Sequence, residues 1–355
     1  DPGSFGTGHG YLGRFDAGWR QSLSGSLNQL GCPMTLPSGF SPAARSGSAP
    51  FEVCLRRGSI TESVHRVHAV VCDGRGRVLM SAGNPGQESF IRSALKPFQA
   101  LPFLSSGTAD QLDVDERGIA ISCASHAGTN AHAREAFRLL WKAELDSSSL
   151  QCPVPNGADS PLQHNCSGKH AAFLATSRKM GWPIETYLQK DHPLQVEVNR
   201  RVAELIGLPA EELVAERDDC GAPTLVLELA QMALMYAHLG ASQNAELEQI
   251  CRAMLSHPEL VAGEGRFDTE LMRRSHGQVL SKGGAEGIQC LSRVGEGLGV
   301  AIKVEDGSRR AKQAVALHLL RQLEWLTPMG LDELDEQVLV VNPSVKLSVS
   351  GSLQS

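Results

Sequence analysis

The sequence predicts an α+β fold, with one antiparallel sheet built from N- and C-terminal strands and a helical lobe inserted between them. Three observations predict it. Short β-branched and apolar runs cluster at about 51–83 and again at about 277–307. The stretch between them, about 90–276, is dominated by helical periodicities. Strands and helices also come in blocks, whereas a parallel sheet would alternate one with the other.

Residues 1–48 are rich in Gly, Ser and Pro without a sustained period, and "SGFSPAARSGSAP" reads as a flexible lead-in. The folded domain is expected over 49–326. "FEVCLRR" and "VHRVHAVVC" read as strands, Asp73-Gly74-Arg75-Gly76 as a turn, and "RVLMSAG" as the next strand. "SALKPFQALPFL" reads as an apolar helix with Ser93 at its start. Pro97 falls in or just after its first turn, where a missing N–H costs least. "RGIAISCASHAG" reads as an apolar strand that breaks into a small-residue loop, and "NAHAREAFRLLWKAEL" as a helix. "SGKHAAFLATSRKMG", "HPLQVEVNRRVAELIG" and "PTLVLELAQMALMYAHLG" read as helices ending on glycine, the last opening on proline. "AELEQICRAMLSHP" and "FDTELMRRS" continue the helical block. The strands "GQVLSKGG", "GIQCLSRV" and "GLGVAIKVEDG" follow, then a helix, "RRAKQAVALHLLRQLEWL", expected to pack on the sheet. In the tail, 327–355, "QVLVVNPSVKLSVSG" is expected to add an edge strand. A cleft is expected where sheet and helical lobe meet.

Composition narrows the function. The chain has 355 residues, 41% hydrophobic and 20% charged, with a formal net charge of -6, which is ordinary for a globular protein. No basic patch interleaves with aromatics, so no nucleic acid and no membrane are expected as partners. No apolar run reaches the roughly 18 residues a membrane helix needs. Nine cysteines are scattered and odd in number, which fits reduced thiols in a cytoplasmic protein better than a disulfide framework. The first residues, "DPGSFGTGHGYLG", show neither the basic start nor the apolar stretch of a signal peptide.

Chemistry concentrates in a few short motifs. Ser93 and Lys96 stand three apart, a spacing that places them on one helix face. A lysine serving as base must first give up its proton, which burial and a neighbouring cation favour. A serine near a helix N-terminus also sits where a developing oxyanion is stabilised. "SCASHAG" holds Ser122, Ser125 and His126, and "LSKGGAEG" puts Lys282 at a strand end before two glycines. Serine-lysine hydrolases of the penicillin-recognising type use this order: a Ser-x-x-Lys helix, a second serine in a loop, and a strand-borne lysine. "HNCSGKHAAF" and "RDDCGAPT" add Cys166, Lys169, His170 and Cys220, flanked by Asp218 and Asp219. Two thiolates and an imidazole could hold zinc, with Cys166 and His170 on one helix face.

Taken together, "RSALKPFQ", "SCASHAG", "NCSGKHAAFL", "DDCGAPT" and "SKGGAEG" resemble the L-asparaginase II family, the rhizobial-type or class 3 L-asparaginases, from about Phe51 to about Leu323. The resemblance implies a fold similar to serine β-lactamases and glutaminases, hydrolysis of L-asparagine to L-aspartate and ammonia, and a homodimer. It implies two Ser-Lys pairs, Ser93 with Lys96 and Ser125 with Lys282. It also implies a zinc ion on Cys166, Lys169 and Cys220, tuning substrate binding without being directly catalytic. The spacing favours His170 as third ligand and the resemblance favours Lys169; a lysine ligand must lose its proton to bind. Asp218 is expected beside the ligands. Alternatives are a glutaminase, a β-lactamase-like hydrolase, which Gly283 after the strand lysine disfavours, and a non-catalytic zinc-binding protein.

Overall fold

The computed structural model describes residues 48–355, so the expected lead-in lies outside the described residues but for Ser48. The chain opens on β1 (Phe51–Arg57), β2 (Ile60–Asp73), β3 (Val78–Ala82) and the short β4 (Glu88–Phe90). The helical block follows: α1 (Lys96–Gln99), α2 (Leu101–Ser105), α3 (Thr108–Gln111), α4 (Glu116–Ser122), α5 (Asn130–Lys142), α6 (Ser167–Met180) and α7 (Pro193–Ile206). Two small strands, β5 (Ala215–Arg217) and β6 (Pro223–Glu228), lead into α8 (Leu229–Gly240), α9 (Ala245–Ser256), α10 (Pro258–Val261) and α11 (Phe267–Arg274). The chain closes with β7 (Val279–Gly283), β8 (Ile288–Arg293), β9 (Leu298–Val304), α12 (Arg309–Gln322), α13 (Pro328–Leu339), β10 (Val340–Asn342) and β11 (Val345–Ser350).

The strands from both ends form one antiparallel eight-stranded sheet, in the order β10-β11-β1-β2-β9-β8-β7 with β3 also on β2. Alternation along each strand divides the core in two. Val70 and Cys72 of β2, Cys290 of β8 and Ala301 of β9 face the helical lobe. Ala69 and Val71 of β2, Leu291 of β8, and Val300 and Ile302 of β9 face α12 and α13. The sheet is thus an α/β/α filling, with α8 buried against one face and the terminal helices on the other, as the sequence predicted for α12.

Four local readings change. "SALKPFQALPFL" is not one helix: a 3₁₀ turn over Arg92–Leu95 runs into α1, and α2 restarts after Ala100. Pro97 and Pro102 each open a new segment, because a proline ring inside a continuous helix would clash with the carbonyl four residues back. "RGIAIS" is the helix α4 rather than a strand. Asp115 caps it, accepting from the Gly118 N–H at 3.1 Å, and a short apolar run cannot be told apart by period alone. "PTLVLE" is the strand β6, paired with β4 and β5, and α8 begins only at Leu229. Glu228 and Gln231 close a capping box there. In the tail, α13 takes residues up to Leu339, and β11 lies between β10 and β1, so β10 is the edge.

Gly168, in the first turn of α6, lets that helix pass close over the end of α4. A Cβ there would meet the Ile121 carbonyl oxygen at 2.1 Å, and a backbone carbonyl has no rotamer to escape into. Gly168→Ala is therefore expected to destabilise the fold by about 3 kcal/mol, read as a lower midpoint in thermal or urea unfolding. An unchanged midpoint would mean α6 is not seated this way.

Candidate active site

Ser93 sits in the 3₁₀ turn that follows β4. The turn is pinned from several sides: Ile91 N–H donates to Leu225 O at 3.0 Å, Arg92 N–H to Thr224 Oγ1 at 3.1 Å, and Tyr236 O–H to Ala94 O at 2.8 Å. Arg92 has a φ of 53°, a left-handed conformation costing about 1–2 kcal/mol in a residue with a side chain. Its guanidinium holds the turn to the Cys220 loop, Nε to Asp218 Oδ1 at 2.9 Å and Nη2 to Asp219 Oδ2 at 2.6 Å. Strain offset by surrounding contacts is a common feature of functional sites. The Ser93 side chain is half-buried, makes no hydrogen bond to a described residue, and faces a cavity of about 250 Å³.

Of the two expected pairs, Ser125 with Lys282 is in hydrogen-bond contact and Ser93 with Lys96 is not. Lys96, 1% exposed, makes no hydrogen bond to Ser93. Its Nζ donates to Ala124 O at 2.6 Å, Ser125 Oγ at 2.9 Å and Asn165 O at 3.4 Å. Lys282, fully buried, reaches the same hydroxyl, with Nζ 2.8 Å from Ser125 Oγ and 2.8 Å from Gly283 O. Ser125 thus stands between two amines, and Ser93 lines the same cavity. Burial, then the charges of Lys96 and Lys312, push the Lys282 amine down to about 7 against the opposing pull of Asp268. An amine so placed gives up its proton far more readily than an ordinary lysine.

Two side chains escaped the sequence reading. Asp268 of α11 accepts from Ser281 Oγ at 2.7 Å, Gly283 N–H at 2.9 Å and Gln289 Nε2 at 2.8 Å, fixing the strand end that carries Lys282. Burial opposes its charge, yet Lys282, Ser281 and Lys312 hold its carboxyl below the usual range. Lys312 of α12 is buried with Nζ on Gly284 O at 2.6 Å and Ile288 O at 2.8 Å, and burial pushes it down to about 8. Neither belongs to a recognisable motif, since their partners are distant in sequence. Ser122 and His126 fall outside the site. The Ser122 hydroxyl donates to Ile119 O at 2.6 Å; His126 stacks on His132 at 4.9 Å and bonds Ser167 Oγ at 3.0 Å.

The sulfur-bearing set does converge. Cys166 caps α6 and Cys220 approaches it from the loop before β6, both buried. A hydrogen bond with Cys166, then the positive charges of Lys169 and His170 against the cost of burial, draw the Cys220 thiol far below its ordinary value; the same bond with Cys220 raises Cys166. Lys169 Nζ lies 3.2 Å from Cys220 Sγ. Burial works against its charge, but Cys220, Cys166 and Asp218 outweigh burial and raise it. His170 Nδ1 pairs with Tyr187 O–H at 2.7 Å, and its buried Nε2 has no hydrogen-bond partner among the described residues. Among the described residues no three His, Cys, Asp or Glu side chains are grouped for a metal. Two thiols, an amine and an unsatisfied imidazole nitrogen nevertheless form a donor set whose chemistry suits a thiophilic cation such as zinc.

A family model described as L-asparaginase II matches residues 53–355, through the tail and beyond the stretch that carries the sequence resemblance. No curated protein matches the chain. Among solved structures, Mglu in its native form in the presence of 4.3 M NaCl is 14% identical, with a TM-score of 0.44 over 73% of this chain and 61% of Mglu. The chain therefore spans about three fifths of the length of Mglu. A β-lactamase from Mycobacterium bovis is 12% identical, with a TM-score of 0.42 over 74% of this chain and 95% of that one. No helix among the described residues is long and apolar enough to cross a membrane.

Proposed function

Because the chain belongs to the L-asparaginase II family, we propose that it is an amidohydrolase converting L-asparagine to L-aspartate and ammonia through an acyl-enzyme on Ser93. The observation that carries this reading is the convergence of Lys96 and Lys282 on Ser125 Oγ, at the cavity that Ser93 also lines. Ser93 Oγ attacks the side-chain amide carbon, and its proton passes through Ser125 to the unprotonated Lys282 amine. The Ser93 and Ala285 N–H groups, both at the cavity and neither with a backbone acceptor among the described residues, would hold the oxyanion. The proton returns through Ser125 to the departing amine as the C–N bond breaks, releasing ammonia. Water then attacks the ester, giving its proton to the same relay, and Ser93 is regenerated.

Cys166, Lys169 and Cys220 would hold a zinc ion, which when bound supplies positive charge beside the pocket. Their own part is to bind and orient. The Arg92 bridge to Asp218 and Asp219 ties that loop to the nucleophile turn, so the loop's position and the pocket's shape are coupled. Cys220→Ala is therefore expected to raise KM for L-asparagine by about tenfold or more while kcat changes little, with zinc content falling in parallel. A large loss of kcat at constant KM would place the metal in the cleavage step.

The direct test is ammonia release from L-asparagine and L-glutamine, with nitrocefin as the β-lactam probe. L-asparagine is expected to be the better substrate, L-glutamine weaker by about 10–200-fold for one added methylene, and nitrocefin stable. Opening of nitrocefin without ammonia release from either amino acid would sink the reading.

A further inference from the structure

We propose that Arg309 and Arg266 form a carboxylate subsite of this cavity, recognising the α-carboxylate of a short amino-acid amide; this rests on the amidohydrolase reading above. The first sign is a local rule broken. The first turn of α12 carries Arg309, Arg310 and Lys312, no acidic residue and no side-chain cap. Cations at the positive end of a helix are disfavoured by about 0.3–1 kcal/mol each, and such violations gather where function requires them. Two of these cations are engaged within the fold. Arg310 donates to His65 Nε2 at 3.0 Å and Ser63 Oγ at 2.7 Å, and Lys312 to the carbonyls of Gly284 and Ile288.

Arg309 makes no hydrogen bond or ion pair with a described residue, yet it lines the cavity with Ser93 and Ser125. Arg266 lines the same cavity, and its polar contact is Nη1 to Ser125 O at 3.4 Å. Burial and the neighbouring Arg309 lower the Arg266 guanidinium, with Asp268 pulling the other way. Two exposed like charges therefore lie near each other at the cavity, and the one buried carboxylate nearby is already committed to Ser281, Gly283 and Gln289. A carboxylate entering between them removes the repulsion and meets a planar fork of donors that a lysine cannot offer. The cavity, about 250 Å³, is below the range of drug-sized sites, which suits a ligand of the size of a small amino acid carrying a side-chain amide.

The test compares L-asparagine with 3-aminopropanamide, the same amide without its α-carboxylate, in wild type, Arg309→Met, Arg309→Lys and the double Arg266→Met/Arg309→Met variant. Wild type should prefer L-asparagine by at least about 100-fold in kcat/KM, since a site built for a polar group rejects the analogue lacking it. In Arg309→Met that preference should shrink to about tenfold or less, chiefly through KM for L-asparagine. Arg309→Lys should restore part of it, and the double variant should abolish it. Equal losses on both amides, or an undiminished preference, overturn the subsite. Should wild type hydrolyse neither amide, the amidohydrolase reading fails separately, and calorimetry with L-aspartate decides the subsite. Binding weakened about tenfold or more in Arg309→Met supports it; equal affinity, or no binding by wild type, overturns it.

Discussion

Ser93→Ala is expected to abolish ammonia release, lowering kcat by about 10⁴-fold or more, while leaving the fold and L-asparagine binding intact. The expectation follows from where the hydroxyl stands. It lines the cavity free of any partner in the described residues. Alanine changes no buried contact, so a shifted unfolding midpoint is not expected and would weaken the inference from lost activity. The rival for the nucleophile is Ser125, whose hydroxyl already touches two amines. Acid-quenched turnover followed by peptide mapping separates them: an aspartyl adduct of the expected mass should sit on the peptide carrying Ser93. The same adduct on the Ser125 peptide would reverse the two roles, and full activity in Ser93→Ala would remove Ser93 from the chemistry altogether. Ser125→Ala should also be severely impaired, since proton transfer to the departing amine then has no relay.

The outline of the fold was legible because its strands alternate. A run such as "VHRVHAVVC" divides its side chains between two cores, and this division is written in the sequence as a period of two. Where the signal failed, the deciding contact was either local and small or remote. Asp115 is a cap whose presence would have marked "RGIAIS" as a helix. For β6 no local feature suffices, because its strand character depends on pairing with β4 and β5. The site followed the same division. Ser93, Lys96, Ser125 and Lys282 could be named as candidates because each lies in a compact motif. The way they connect could not, because Lys96 meets Ser125 only through the tertiary fold, far along the chain from it. Asp268, Lys312 and Arg92 act through partners far off in sequence, and nothing beside them in the chain signals that use.

Lys282→Met and Lys96→Met should impair the enzyme by different routes, and the pH profile tells them apart. In wild type the rate constant kcat/KM should fall as pH drops through about 7, because Lys282, held near that value, takes up a proton and can no longer accept one from Ser125. Lys282→Met removes the acceptor: kcat should fall by about 10²–10⁴-fold, and the limb near pH 7 should vanish from what remains. Lys96→Met leaves that acceptor in place but removes a positive charge that disfavours protonation of Lys282. The Lys282 amine then becomes more basic, so the limb should move to higher pH. Methionine preserves most of the buried stem in both variants, which keeps the packing cost small. Single-turnover measurements add the second axis. If Lys282 is the acceptor in both half-reactions, its loss slows formation and hydrolysis of the acyl-enzyme alike. A limb that persists in Lys282→Met and vanishes in Lys96→Met would transfer the role of base to Lys96.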